Sequence, residues 1–300
     1  MEGKVDAAYR RRVDNILRDA SQVDRYVGEL ARPVELPPDI CVKISGLTKE
    51  FNMGDRSIAA IAGLDLEVKD GEFLCIVGPS GCGKTTLIRT IAGLERQTSG
   101  TIWVKQPANG RPLTAMVFQT DSIFPWMTVE DNVGYGLRMQ GVKKAQRDAK
   151  VQSLLRVTGL EKFGKSYPHQ LSGGMRQRVN VARAFAADPE ILLMDEPFGL
   201  LDEQNRMILQ RELMEIWRGS RKTTLFITHS VDEAILLGDR ILVMTAHPGR
   251  VKEIIDIDIP RPRDLIALRG DPKFISLYKQ VWELLSEEVL RSRAQEVPRS

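Results

Sequence analysis

The residues able to do chemistry fall into two cradles and a set of polar side chains. Gly78-Pro79-Ser80-Gly81-Cys82-Gly83-Lys84-Thr85-Thr86 offers closely approachable backbone N–H groups, an ammonium and hydroxyls to an anion. Leu171-Ser172-Gly173-Gly174-Met175-Arg176-Gln177-Arg178 follows a similar logic, with a hydroxyl and two glycines ahead of a helix-like run whose dipole points its positive end at them. Each is a place to hold phosphate. The carboxylates Asp195 and Glu196, the amide of Gln119 and the imidazole of His229, one of three histidines, supply the rest. Phosphate, a divalent cation and an in-line water are what such a set can hold, and that is the chemistry of phosphoryl transfer to water.

These side chains need a frame, and the apolar runs supply it. Phe73-Leu74-Cys75-Ile76-Val77 is apolar throughout, as a parallel strand buried on both faces should be. It runs into Gly78 and then into the helix-like Leu87–Ala92. Strand, G-x-x-x-x-G-K-T and helix in that order make a P-loop, in which Lys84 bridges the β- and γ-phosphates and Thr85 binds Mg²⁺. Further apolar runs span Ala115–Phe118, Ile191–Met194, Leu225–Thr228 and Ile241–Met244, and the first three end at Gln119, at Asp195-Glu196 and at His229. Ligands of open parallel sheets bind beyond the carboxyl ends of the strands, so four strand ends are expected to converge on one nucleotide. Asp195 would hold Mg²⁺, Glu196 would be the base for the attacking water, Gln119 would accept from the metal's water, and His229 would touch the γ-phosphate. Cys82 reads as a passenger whose thiol would give alkylation a way to block binding.

The remaining segments set the organisation. Residues 1–38 carry apolar positions Tyr9, Val13, Ile16, Leu17, Val23, Val27 and Leu30 at helical spacing, then Pro33, Pro37 and Pro38 as a linker. The extension is either a helix on its own domain or one that docks on a partner. Ile40–Leu66 reads as short strands with a turn at Asn52–Asp55, and Phe51 beside that turn either packs or stacks on a ligand. Glu130–Asp188 reads as helices inserted into the α/β core, over Glu130–Met139, Lys144–Thr158 and Arg176–Ala187. After Met244 the pattern alternates around Pro248-Gly249 and breaks at Pro260-Arg261-Pro262-Arg263. A helix then starts at Asp271-Pro272, with Phe274, Leu277, Tyr278, Val281, Leu284 and Leu285 as its apolar stripe.

Composition bounds the alternatives. A 300-residue chain with net charge +3 and 28% charged residues is too balanced for nucleic acid to be its main partner. Three cysteines form no disulfide framework and suit a reducing cytosol, and no run of eighteen apolar residues occurs.

With those motifs in place, the chain resembles the ATP-binding cassette of ABC transporters over about Ile40–Met244. The resemblance implies an α/β P-loop ATPase core with an antiparallel β subdomain and a helical subdomain at about 125–188, inside an ATPase domain over 39–245 and followed by a C-terminal extension over 246–300. It makes Phe51 the aromatic on adenine, Gln119 the Q-loop, Ser172, Gly173 and Gly174 with Gln177 the signature that meets nucleotide, Asp202 the D-loop aspartate and His229 the switch histidine. ATP and Mg²⁺ are the implied cofactors. A head-to-tail dimer with a second copy of the chain or with a homologous ATPase is implied, one chain's signature closing over the other's P-loop. Leu200 departs from the family, standing where alanine is common. Phe124-Pro-Trp-Met, Tyr167-Pro-His-Gln, Pro248-Gly-Arg and Pro260-Arg-Pro-Arg are similar to ATPase subunits of nitrate, sulfonate and taurine importers, which implies a peripheral protein on the cytoplasmic face, a membrane permease gripped near Phe124–Trp126, and an external solute-binding protein. An export-type subunit shares the cassette chemistry; a soluble ABC protein would need tandem cassettes or a long coiled coil, and a P-loop kinase an acceptor site.

Overall fold

The computed structural model describes residues 36–54, 56–107, 110–120 and 122–296. The expected N-terminal extension lies outside the described residues except for its last three positions. Strands β1 (Ile40–Met53) and β2 (Arg56–Lys69) form an antiparallel hairpin that turns at Gly54. Several short strands were expected there. Two of 14 residues are found, because register shifts bend the pair without ending it. Strand β3 (Phe73–Val77) leads through the P-loop into helix α1 (Lys84–Ile91). Strand β4 (Ser99–Val104), absent from the sequence reading, then pairs with β1 to complete a three-stranded antiparallel sheet. Its Gly100, at φ 86°, passes so close to Gly46 that a Cβ would lie 2.4 Å from the Gly46 carbonyl oxygen.

Strand β5 (Thr114–Val117) ends before Gln119, and three helices follow: α2 (Val129–Met139), α3 (Lys144–Val157) and α4 (Gly173–Ala186). Helix α4 begins three residues earlier than expected, since the Ser172 hydroxyl caps it by accepting from the Met175 N–H at 3.3 Å. The chain continues through β6 (Ile191–Asp195), α5 (Glu203–Ser220), β7 (Thr223–Ile227), α6 (Val231–Leu237), β8 (Arg240–Met244) and β9 (Val251–Asp256). A short α7 (Leu265–Leu268) and the long α8 (Pro272–Glu296) close it.

The main sheet has the order β5-β6-β7-β3-β8-β9, parallel except for β9. Alternation along β3 divides the core: Phe73, Cys75 and Val77 face the helical side, while Leu74 and Ile76 face α1 and the three-stranded sheet. Burial on both faces explains the unbroken apolar runs.

The Pro260–Arg263 stretch that broke the sequence pattern is a clasp. The Arg263 guanidinium donates to the carbonyls of Ile235 and Ile259 at 2.8 and 2.7 Å and to that of Gly238, satisfying the C-terminal end of α6. Burial pulls its pKa down to about 10. Arg261 lies over the Trp217 ring and pairs with Asp239.

Candidate active site

Helix α1 opens at Gly83, whose φ of 97° only glycine adopts easily and whose Cβ would lie 2.7 Å from the Ala60 carbonyl oxygen. The P-loop before it wraps the Lys84 ammonium, which donates to the carbonyls of Gly78 and Pro79 at 2.8 and 2.9 Å and is almost fully buried. Ser80 and Gly81 are exposed at the loop's crest, and Thr85 and Thr86 are half-buried in the first turn of α1. Backbone N–H groups and a helix N-terminus at one place form a phosphate site.

The Thr85 hydroxyl donates to Asp195 Oδ1 at 2.9 Å. This joins the start of α1 to the end of β6 and sets two hard oxygen ligands side by side, the donor type Mg²⁺ selects. Burial pushes the Asp195 carboxyl above its ordinary range, the Thr85 hydroxyl draws it back, and the Glu196 charge pushes it up again.

Glu196 is where three elements meet. Its backbone sits at φ 46°, held by its N–H to the Ile227 carbonyl and its own carbonyl to the Gly199 N–H. A non-glycine residue in the left-handed region costs roughly 1 kcal/mol, and functional sites are where such strain is kept. His229 Nε2 lies 2.6 Å from Glu196 Oε1, and Gln119 Nε2 donates to Glu196 Oε2 at 3.1 Å. The ends of β5, β6 and β7 thus meet at one carboxylate. Gln119 and His229 are exposed and Glu196 is half-buried, so the group opens outward beside the Thr85–Asp195 pair.

The second cradle lies at the start of α4, in the helical insertion. Ser172 and Gly173 are exposed, and a Cβ on Gly174 would come within 3.8 Å of Leu201 and 3.9 Å of Asn205. The signature therefore neighbours the loop that carries Asp202. That aspartate caps α5 by accepting from the Asn205 N–H at 2.9 Å, a bond that, together with the Asn205 amide, holds its carboxyl below the usual range. Phe51 is half-buried near the end of β1, with the Lys49 ammonium 4.5 Å over one face of its ring.

Two motif side chains lie inside the protein. Gln177 is turned inward and buried, with its carbonyl accepting from the Asn180 amide at 3.3 Å and its own Nε2 without a partner among the described residues. A side chain so placed shapes α4 from within. Cys82 is 1% exposed and burial raises its thiol pKa, so it offers backbone to the phosphate site and is shielded from alkylation.

Other contributors were missed. Gly249 presses on the P-loop: a Cβ there would lie 2.0 Å from the Cys82 carbonyl oxygen. In the sequence Pro248-Gly249 is only the point around which the pattern alternates and part of the importer-like Pro248-Gly-Arg, and nothing in its spacing marks the loop it supports. Asn132 is buried and its side chain grips the backbone N–H and carbonyl of Phe124 at 2.7 and 3.1 Å, fixing the segment after Gln119. Phe124 in turn packs 5.6 Å from Trp126 and 4.8 Å from Tyr135, with Arg183 over its ring.

A mostly parallel sheet with a P-loop, an acidic pair and a polar ring at its strand ends defines an ATP-hydrolysing nucleotide-binding protein. Residues 61–199 match the family described as ABC transporter. An uncharacterized ABC transporter ATP-binding protein of Methanocaldococcus jannaschii is 47% identical over 256 residues, covering 84% of this chain and 93% of that one. A taurine import ATP-binding protein of Rhizobium johnstonii is 43% identical over 249 residues, covering 80% and 94%. A solved dimeric structure of an ATP-binding cassette in a post-hydrolysis state, bound to ADP and Pi, superposes with a TM-score of 0.65 at 30% identity, over 73% of this chain and 100% of that one. The chain belongs to the ABC transporter family as an ATP-binding, ATP-hydrolysing subunit. No helix among the described residues is long and apolar enough to cross a membrane.

Proposed function

We propose that the protein is the ATPase subunit of an importer, coupling ATP binding, head-to-tail dimerisation and hydrolysis to solute uptake through a separate membrane permease. The hydrolytic part of this reading is carried by the Glu196 carboxylate held by Gln119 and His229 beside the Thr85–Asp195 pair. The P-loop and Lys84 hold the phosphates, Thr85 and Asp195 with Gln119 hold Mg²⁺, and that ion, when bound, offsets charge on the phosphate oxygens. Glu196 takes a proton from the attacking water, and His229 contacts the γ-phosphate, so both side chains must part from the contact they share here. Ser172 and the glycines beside it face a partner chain's nucleotide, and Leu200, 76% exposed beside Asp202, meets the partner as well.

Coupling to the permease falls to the helical insertion. Trp126 is 70% exposed on a segment that Asn132 makes rigid, a surface suited to grip a short permease helix on the cytoplasmic face of the membrane. The similarity to a taurine import protein supports import, with an external binding protein delivering an oxyanion such as sulfonate, nitrate or bicarbonate. Co-purification with a permease, followed by transport assays in both directions on reconstituted vesicles, tests this. ATP-driven uptake supports the reading, and ATP-driven extrusion alone would replace it with an exporter.

A further inference from the structure

A buried carboxyl lies behind the site, outside every motif. Glu233, in the first turn of α6, is 5% exposed. Its Oε1 accepts from Gln210 Nε2 at 2.7 Å, and its carboxyl is also hydrogen-bonded to the Thr228 side chain. The Gln210 carbonyl oxygen is buried without a partner among the described residues, so Glu233 is what orients that amide. Thr228 Oγ1 accepts from the Ser230 N–H at 3.0 Å, and the Ser230 hydroxyl accepts from the Glu233 N–H at 3.2 Å. Residues on both sides of His229 thus belong to one network. Gln210 lies on α5, the helix that Asp202 caps, and the Thr228 N–H is fixed to the Ile76 carbonyl of the strand that feeds the P-loop.

We propose that Glu233 is a positioning residue that ties α5, and with it the Asp202 loop, to the Thr228–Ser230 loop, so that the placement of His229 against Glu196 follows the placement of α5. The inference rests on the roles proposed above for His229 and Asp202. A helix moves as a rigid rod, so a displacement of Asp202 by a partner chain reaches Gln210 undiminished, and from there one buried hydrogen bond leads to the histidine loop. Burial raises the carboxyl's pKa above the ordinary glutamate range, and the hydrogen bonds with Thr228 and Gln210 draw it back only in part. A leucine here would fill similar space and leave the Gln210 amide and the Thr228 hydroxyl without their acceptor.

The test is steady-state ATP hydrolysis by the full-length protein carrying Glu233→Leu, Gln210→Leu, both together, Glu233→Gln or His229→Ala. Glu233→Leu and Gln210→Leu should each lower kcat about tenfold with KM for ATP within about twofold, and the double variant should be no worse than either single one, as expected of two ends of one link. Glu233→Gln keeps a carbonyl for Gln210 and should recover to within about threefold of the parent. In a Glu196→Gln background, Glu233→Leu should still dimerise with ATP, which separates a lost hydrolysis step from lost folding or binding. The proposal is overturned by unchanged kcat in Glu233→Leu, by additive losses in the double variant, or by loss of ATP-driven dimerisation. If His229→Ala keeps full activity, the role of the histidine fails; if it is inactive while Glu233→Leu is not, only the link fails.

Discussion

His229 Nε2 lies 2.6 Å from Glu196 Oε1, bringing a residue after β7 onto one after β6. A carboxylate shared with an imidazole on one oxygen and with the Gln119 amide on the other is oriented before any water arrives. Removing its charge while keeping its shape isolates the proton-accepting role proposed for it. Glu196→Gln should lower phosphate release by at least ~100-fold, the scale of general base catalysis, and leave ATP affinity and ATP-driven dimerisation intact. Retained steady-state hydrolysis in the purified variant would remove Glu196 from that role.

Ser172 works at a different place. As the cap of α4 it presents its hydroxyl and the glycines after it outward, toward a nucleotide that a second chain would carry. Ser172→Arg fills that space with a long cation. ATP binding to the monomer should persist within about twofold, while the ATP-dependent dimer seen by size-exclusion chromatography of a Glu196→Gln background should disappear. A dimer that survives the substitution would mean that the signature does not complete the partner's site.

Much of this was legible in the chain itself. The strands of the parallel sheet are buried on both faces, so β3, β6, β7 and β8 stand out as unbroken apolar runs, and the residues following β6 and β7, with Gln119 after β5, are those that meet at Glu196. Strand β4 was not legible, because it lies at an edge of its sheet, begins with Ser99-Gly100 and buries only Ile102 and Val104. That Gln177 turns inward was not legible, because a motif position says nothing about which way a side chain on α4 turns. The buried links of Glu233 and Arg263 join segments 23 or more residues apart, or cap a helix from beyond it, and no periodicity encodes them.

Gly249 ties the C-terminal extension to β2 and the P-loop. Its N–H donates to the Ala60 carbonyl and its own carbonyl accepts from the Ala62 N–H, at 3.0 and 3.1 Å, so the backbone is pinned to β2 while its α-carbon faces the P-loop. A methyl group 2.0 Å from the Cys82 carbonyl and 2.8 Å from the Met244 side chain has to move something, and the P-loop is what lies in front of it. Gly249→Ala should weaken binding of a fluorescent ATP analogue by tenfold or more and cost about 1–3 kcal/mol in urea unfolding, the range for an overpacked site. Gly219→Ala, where the added Cβ meets nothing within 4 Å, is the matched control and should leave affinity unchanged. Equal affinity in both variants would show that Gly249 does not shape the P-loop.

Glu288 fastens α8 to the sheet, and its ionisation gives that attachment a pH dependence. The carboxyl is 1% exposed and accepts from the Ala246 N–H at 2.8 Å, the Lys252 ammonium at 2.9 Å and the Arg291 guanidinium at 3.1 Å. Burial pushes its pKa up, but these donors outweigh it and hold the carboxyl below the ordinary glutamate value. A depressed carboxyl contributes stability that is present above the unfolded pKa and is lost as pH falls through the folded one. Glu288→Gln should therefore cost about 1–3 kcal/mol of unfolding free energy near neutral pH, because the charge is lost and one donor is left facing an amide N–H. The gap from the parent should narrow as pH falls below the ordinary glutamate pKa and through the parent's own, lower one. Urea unfolding of both proteins at a series of pH values measures it directly, and a gap that stays constant across the acidic range would show that the charge on Glu288 does not hold α8 in place.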